Sequence, residues 1–251
     1  MPNWQKELAK AYFSSSKRVL IFDYDGTLVR FFNKPELAKP SLKLKNKLRL
    51  LSDNKQNHVV IITGRSKKNI DEWFQDLPIT LAVEHGGYIR QAGQKDWKST
   101  VNTDNSWKPI IFDEFEKCTM QVKKSFIEHK NNSLVWHYRT ADINHVQKHL
   151  KYLKKILHPI AKKFNLKIEQ GNMILEARPN IINKGETALK YVKDADFILV
   201  IGDDTTDECM FAALQDAWTI KVGQCKTLAR YNVQNVTEVQ RLLNTLIKTN
   251  F

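Results

Sequence analysis

An α/β fold built on a parallel sheet is predicted by three features of this 251-residue sequence. Unbroken apolar runs recur at Val19-Leu20-Ile21-Phe22, Val59-Val60-Ile61-Ile62 and Phe197-Ile198-Leu199-Val200-Ile201. Such runs suit strands covered on both faces, whereas a half-exposed strand alternates polar and apolar residues. Between the runs lie segments whose apolar residues step by three or four, so strands and helices follow one another as right-handed crossovers of a parallel sheet require. The runs end on Asp23, Thr63 and Asp203. In a parallel sheet those ends share one edge, where open α/β sheets bind ligands.

The first 17 residues carry Trp4, Leu8, Ala11 and Tyr12 among polar ones, which predicts a short amphipathic helix; no apolar block there is long enough for a signal peptide or a membrane span. After the first strand, residues 29–39 read as a loop. Pro40-Ser41 then opens a helix to about Asp53, with Leu44, Leu48 and Leu51 at helical spacing. The second strand closes on Thr63-Gly64-Arg65. Ser66 is expected to cap a helix whose apolar side is Ile70, Trp73, Phe74 and Leu77. Thr80-Leu81-Ala82-Val83 is a third strand, broken by Glu84-His85-Gly86-Gly87.

From Tyr88 to Arg178 the rhythm changes. Long helices are predicted over 108–127 and 143–164, the second with one stripe formed by Ile143, Val146, Leu150, Leu153, Leu157, Ile160 and Phe164. Leu134 to Arg139 reads as a strand, and Gln170-Gly171-Asn172 lies between two further strands as a hairpin signal. Half-exposed antiparallel strands with two helices on one side make an inserted α+β module. The boundaries expected are 1–86 with 180–251 for the main domain and 87–179 for the insert, with Gly86-Gly87 and Pro179 as hinges. The first rhythm then resumes with a helix over 185–192, the strand over 197–201, a helix through Met210, Phe211 and Leu214, the strand Trp218–Val222 and a last helix over 237–247.

Forty Lys and Arg against 27 Asp and Glu give a formal charge of +13, enough to attract anions. The lysines are spread along helix faces, without a zinc finger, an RNP-like aromatic motif or a compact basic tract, so they read as a solvated basic surface rather than as a nucleic-acid site. Cys118, Cys209 and Cys225 are too few and too scattered for a disulfide framework or a zinc site, which fits a reducing cytoplasm. No specific nucleic-acid partner and no membrane association are expected, and the chain is read as a monomer.

Asp23 and Asp25 stand at the mouth of a buried strand, where two like charges repel unless a cation or a shared proton relieves them. An Asp-Gly turn accounts for Asp25 and Gly26 but not for Asp23. With Asp203, Asp204 and Asp207 at the neighbouring strand end, the donor set is all oxygen and suits Mg²⁺, which makes phosphoryl transfer the leading reaction class. Taken singly, Lys184 reads equally as a surface lysine and Asp203-Asp204 as an acid pair at a helix N-terminus. Other constellations fail: in His145-Val146-Gln147-Lys148-His149 a Gln stands where a zincin needs Glu, and there is no Walker loop, Gly-x-Gly-x-x-Gly or Gly-x-Ser-x-Gly.

Asp23-Tyr24-Asp25-Gly26-Thr27 resembles the Asp-x-Asp-x-Thr signature of the haloacid dehalogenase superfamily, and Thr63, Lys184-Gly185 and Gly202-Asp203-Asp204 follow in that superfamily's order. The resemblance implies a Rossmann-like parallel-sheet haloacid dehalogenase core with an inserted α/β cap. It implies that Asp23 is the nucleophile and Asp25 the general acid/base, with Thr63 and Lys184 on the phosphoryl oxygens. Mg²⁺ would be held by Asp23, the Asp25 carbonyl and Asp203, with Asp204 and Asp207 as ligands through water or as orienting groups.

The pieces Glu84-His85-Gly86-Gly87, Glu128-x-Lys130, Trp136-His137-Tyr138-Arg139 and Gly171-Asn172-Met173-Ile174-Leu175-Glu176 resemble the trehalose-6-phosphate phosphatase family within that superfamily. This resemblance implies that Glu128, Lys130 and Glu176 hydrogen-bond glucose hydroxyls, and the full substrate-binding set expected is Arg65, Glu84, His85, Gly86, Glu128, Lys130, His137, Arg139 and Glu176. The activity implied is release of trehalose and phosphate, the last step of trehalose biosynthesis. The alternatives are the same chemistry on a sucrose, mannosylglycerate or hexose ester, and a non-catalytic basic binding module.

Overall fold

β1 (Arg18–Phe22) is buried along its whole length and sits inside an eight-stranded sheet, flanked in parallel by β10 (Phe197–Gly202) and β2 (Asn57–Ile62). The sheet continues through β11 (Trp218–Val222) and β12 (Tyr231–Val233) on one side, and through β3 (Thr80–Val83), β4 (Tyr88–Arg90) and β5 (Lys98–Ser99) on the other. All pairs are parallel except β3 with β4 and β4 with β5. This computed structural model describes residues 2–32, 34–102 and 104–247.

Two apolar layers account for the unbroken character of the strands. Leu20 and Phe22 of β1 join one cluster with α1 (Asn3–Ser14), α2 (Leu42–Asp53), α3 (Lys67–Phe74) and α8 (Val236–Ile247). Val19 and Ile21 face a second, with Ala188 of α6 (Lys184–Leu189) and Met210 and Phe211 of α7 (Glu208–Ala213). From β1 the chain winds one way through β2 and β3, and it later returns to the other side through β10, β11 and β12. The crevice between β1 and β10 is therefore the topological switch point, the place in such a sheet left open for ligands.

The chain divides into two compact units, 1–100 with 183–251, and 101–182. The first boundary falls at 100 rather than at the expected 86, because β4 pairs onto β3 and β5 onto β4, which extends the first sheet. The second unit has one antiparallel sheet in the order β6 (Phe126–His129), β7 (Leu134–His137), β9 (Ile174–Pro179), β8 (Leu166–Gly171). Its helices α4 (Trp107–Gln121) and α5 (Ile143–Phe164) share a cluster with Leu134, Trp136, Leu175 and Ala177. The helix expected to reach Ile127 stops at Gln121; Lys124 has φ 67°, a conformation a helix cannot contain, and Ile127 lies on β6, paired with Trp136 of β7.

Asp142 caps α5 by accepting the Asn144 N–H at 2.9 Å, and Asn165 ends it in the left-handed region. Ser41 caps α2 by accepting from the Leu44 N–H at 3.2 Å. Ser66 occupies the N-cap position of α3 but makes no side-chain capping bond. No helix of the described residues is long and apolar enough to cross a membrane.

Leu153 has no exposed surface and sits in the middle of the α5 stripe. Leu153→Ala is expected to cost about 2–5 kcal/mol. Urea denaturation followed by tryptophan fluorescence checks this, and a loss below about 1 kcal/mol would show that the stripe is not packed.

Candidate active site

The site is assembled by strand ends. Asp23 directly follows β1, and its own N–H donates to the Ile201 carbonyl of β10 at 2.9 Å, so the two strand ends are held in register where the side chains diverge. The next turn carries Gly26 at φ +78°, where a Cβ would fall 2.1 Å from Asp203 Oδ2. A glycine is required twice over, for the left-handed backbone and for the carboxylate lying against it. The Thr27 hydroxyl donates to Asp203 Oδ1 at 3.5 Å.

Asp23, Asp203 and Asp207 each offer a carboxylate oxygen, and these oxygens lie within 4.8 Å of one another. Lys184, at the start of α6, donates to Asp23 Oδ1 at 2.6 Å and to Asp207 Oδ1 at 2.8 Å. Lys184 is only 3% exposed, against 4% for Asp23 and 0% for Asp207. Burial opposes the charge of Lys184, but Asp207 and Asp23 outweigh it and raise its pKa. Burial raises Asp23 above the usual carboxylate range despite Lys184, with Asp207 and Asp25 adding repulsion. Asp203 is raised by burial and then by repulsion from Asp23, Asp207 and Asp204. Three carboxylates against one ammonium leave the cluster two positive charges short of neutrality, so its donor chemistry fits a divalent, oxygen-preferring cation such as Mg²⁺.

The other Asp of the first motif is placed differently. Asp25 forms a two-bonded ion pair with Arg65, Nε to Oδ2 and Nη2 to Oδ1, both at 2.6 Å. Arg65 also donates to the Pro35 carbonyl at 2.7 Å and lies over the Trp73 ring. Thr63 ends β2 and accepts the Arg65 N–H at 3.2 Å through its hydroxyl. Glu84, His85 and Gly86 have φ of 49°, 59° and 101° in succession, an uncommon run for side-chain-bearing residues. The His85 N–H donates to the Thr63 carbonyl at 2.9 Å, and a Cβ on Gly86 would meet Thr187 Oγ1 at 1.9 Å, so this turn joins the end of β2 to α6.

On the second unit, Glu128 and Glu176 both pair in register with Val135, while Trp136 turns toward the helices. His137 Nε2 lies 2.8 Å from Glu128 Oε2, with its ring stacked on Phe126. Burial works against Glu128 ionisation, but Lys130 and the His137 hydrogen bond overcome it and bring its pKa down to about 2. Lys130 Nζ donates to Glu176 Oε1 at 3.4 Å, and the Ser133 hydroxyl donates to the same oxygen at 2.7 Å. The Arg139 guanidinium donates to the Asn172 carbonyl in the β8–β9 turn at 2.7 Å.

The sequence profile described as Trehalose-phosphatase matches residues 21–238. The chain belongs to the trehalose-phosphatase family. That family lies in the haloacid dehalogenase superfamily. The chain is 36% identical over 249 residues to "Alpha,alpha-trehalose-phosphate synthase [UDP-forming] B" of Dictyostelium discoideum, covering 96% of this chain and 32% of that one. It is 34% identical over 231 residues to "Trehalose-phosphatase" of Saccharomyces cerevisiae, covering 82% and 26% respectively. It thus spans a third or less of the length of these curated relatives. Among solved structures, the C. albicans trehalose-6-phosphate phosphatase C-terminal domain superposes with a TM-score of 0.94 at 30% identity, covering 97% of this chain and 96% of that one.

In this trehalose-phosphatase family member, Asp23, Asp203, Asp207 and Lys184 converge as the sequence led us to expect, and the side-chain carboxylates of Asp25 and Asp204 stand outside that cluster. The Asp25 side chain is paired with Arg65; the metal role read for Asp25 belongs to its carbonyl, and its carboxyl is the group read as general acid/base. The Asp204 carboxylate accepts the Thr205 N–H at 2.7 Å and completes a capping box with Asp207, so it is spent on the loop. Arg65, expected on substrate, is bound to Asp25. Lys221 was missed: 3% exposed on β11, it donates to the Asp204 carbonyl at 3.1 Å and to Glu208 at 2.9 Å, tying down the loop that carries Asp203. A lysine inside the apolar run Trp218–Val222 was the available signal.

The raised Asp23 and Asp203 fix the sign of a pH effect. A carboxylate whose folded pKa lies above its unfolded value of 3.8 contributes stability below that value and loses it as the pH rises through the folded pKa. In EDTA the wild type should therefore lose more of its Tm between pH 5 and pH 8 than Asp203→Asn does, and MgCl₂ at pH 8 should raise the Tm of the wild type but not of the variant. Equal Tm profiles for the two proteins would show that the cluster carries no uncompensated charge.

Proposed function

We propose that this protein is a metal-dependent phosphatase that converts trehalose 6-phosphate to trehalose and inorganic phosphate, acting as a monomer in the cytoplasm. The observation that carries the reading is the buried Asp23 carboxylate, held by Lys184 beside Asp203 and Asp207 at the switch point of a parallel sheet. Three free cysteines in the described residues are consistent with a reducing compartment.

In this mechanism an Asp23 oxygen attacks phosphorus as the bond to the sugar oxygen breaks, giving an aspartyl-phosphate and a sugar alkoxide that takes a proton from Asp25, which enters the step protonated and released from its pair with Arg65. Asp25 then removes a proton from water, the hydroxide displaces Asp23, and phosphate leaves. Lys184 steers the dianion toward a cluster that would otherwise repel it, and Thr63 donates its hydroxyl to an equatorial oxygen. Asp23, Asp203 and the Asp25 carbonyl would hold the cation, with Asp207 orienting them. When bound, Mg²⁺ neutralises charge on the phosphoryl oxygens. Hydrolysis of a phosphate monoester in water is slow enough that these groups together must lower the barrier by roughly 20 kcal/mol or more.

For the sugar, Glu128, Lys130 and Glu176 are the proposed partners of the hydroxyls. Carboxylates accept from neighbouring hydroxyls and an ammonium donates up to three bonds. The Glu128 to His137 and Glu176 to Ser133 hydrogen bonds support this reading, because each fixes the carboxylate before substrate arrives. His137 and Arg139 act as positioning residues, for Glu128 and for the Asn172 turn.

Phosphate release from trehalose 6-phosphate, sucrose 6-phosphate and glucose 6-phosphate, with Mg²⁺ or with EDTA, tests the assignment. Turnover should favour the trehalose ester and stop in EDTA. Metal-independent rates would remove the cation, and preference for glucose 6-phosphate would select a monosaccharide phosphatase. Asp23→Asn should retain its circular dichroism spectrum and lose at least about a thousandfold in kcat. Glu128→Ala should lower kcat/KM on trehalose 6-phosphate about tenfold or more and on p-nitrophenyl phosphate about threefold or less; equal losses would take Glu128 out of the sugar site.

A further inference from the structure

A pocket of about 430 Å³ lies in the first unit, between the N-terminal ends of α2 and α8 and the chain that follows the first motif. Arg30, Lys39, Lys43, Lys47 and Arg241 line it, and no Asp or Glu does. Of these five, only Lys39 has a carboxylate partner among the described residues, Glu72 at 2.8 Å. Arg30 reaches the Thr237 hydroxyl at 3.5 Å, and Lys47 donates to the carbonyl and the side-chain oxygen of Gln240, both at 2.9 Å. These partners are neutral and offset none of the charge.

Lys47 is 7% exposed, and burial followed by repulsion from Lys43 lowers its pKa, as expected for an ammonium with no anion beside it. Both helices that border the pocket are 12 residues long, and their first turns present positive dipole ends to it. Cations drawn together this way repel one another until an anion occupies the space between them. The rest of the lining mixes the uncharged polar residues Ser41, Thr237, Gln240 and Asn244 with an apolar part formed by Leu28, Val29, Phe32, Leu44 and Val236, with Phe32 45% exposed. Such a wall matches a ligand that has an organic body as well as a charge.

We propose that this pocket is a second ligand site, separate from the Asp23 cluster, which binds an organic phosphate by its phosphate at Arg30, Lys43, Lys47 and Arg241 and by its body against Phe32 and Leu28. It is also joined to the first motif through the main chain. Gln240 donates to the Leu28 carbonyl at 3.1 Å, Val29 bridges to Asp25, and the Gly26 N–H donates to the Val29 carbonyl at 2.7 Å.

Isothermal titration in EDTA at low salt isolates the pocket, because the carboxylate cluster then repels anions. ADP serves as a phosphate with an aromatic body and inorganic phosphate as the bare anion. Wild type should bind one ADP per chain more tightly than phosphate, Phe32→Ala should remove that difference, and Asp23→Asn should leave both affinities unchanged. Lys43→Glu with Arg241→Glu, both at exposed positions and so expected to keep the wild-type melting profile, should weaken both probes at least about tenfold. Three results would overturn the site: no binding of either probe up to about 10 mM, charge-reversed variants with wild-type affinity, or loss of binding in Asp23→Asn. Equal affinity for the two probes would overturn the organic part of the assignment.

Discussion

The ammonium of Lys184 is the interaction on which the first unit's site depends. It lies between Asp23, which follows β1, and Asp207, in the loop after β10, and it is brought there by the start of α6. Three elements far apart in sequence thus meet on one charge. Burying an ion pair is seldom a gain in stability, since desolvation of both partners offsets their attraction. Removing one partner is costly, because it strands the other in a medium that cannot solvate it. The arrangement therefore fixes geometry more than it adds stability, and its one ammonium leaves two of the three carboxylate charges unbalanced. In the proposed reaction that deficit would be met by the cation.

Around that charge the backbone has been given up to close approach. Gly26 lies under the Asp203 carboxylate, and Gly86 lies against Thr187 on α6. In both places the chain folds tightly enough that even one methyl group would displace the side chain lying against it. The left-handed run at Glu84, His85 and Gly86 is held on one side by the Thr63 carbonyl and on the other by Thr187, whose hydroxyl donates to the His85 carbonyl at 3.3 Å. Strain of this kind persists only where its surroundings over-determine it. Here it links the end of β2 to the helix that presents Lys184.

What the sequence made legible follows from the range of the forces involved. The buried parallel strands and the α5 stripe are written in local periodicity, and β3, β11 and α5 have the bounds that the apolar pattern indicates. The pieces that escaped are short or polar. β12 is three residues with Asn232 at its centre, and β4 and β5 owe their strand character to pairing, β4 with β3 and β5 with β4, rather than to their own pattern. The same division holds in the site. Asp23, Asp203 and Lys184 stand at strand and helix ends that can be located by pattern, whereas the turning of Asp204 into a capping box, of Asp25 toward Arg65 and of Lys221 toward Asp204 depends on tertiary neighbours that no spacing reveals.

The two margins of the main sheet have a consequence for how the protein behaves in a crowded solution. A long, flat outer strand offers unpaired amides as a template on which other chains can add, and this is a common start to aggregation. Here one margin is the three residues of β12 and the other the two residues of β5, one of them Lys98. A docking strand could satisfy only a few hydrogen bonds at either side before running out of partner. The hydrophobic runs Val19–Phe22, Val59–Ile62 and Ile198–Ile201, rich in residues that favour strands, are kept away from both margins in the middle of the sheet.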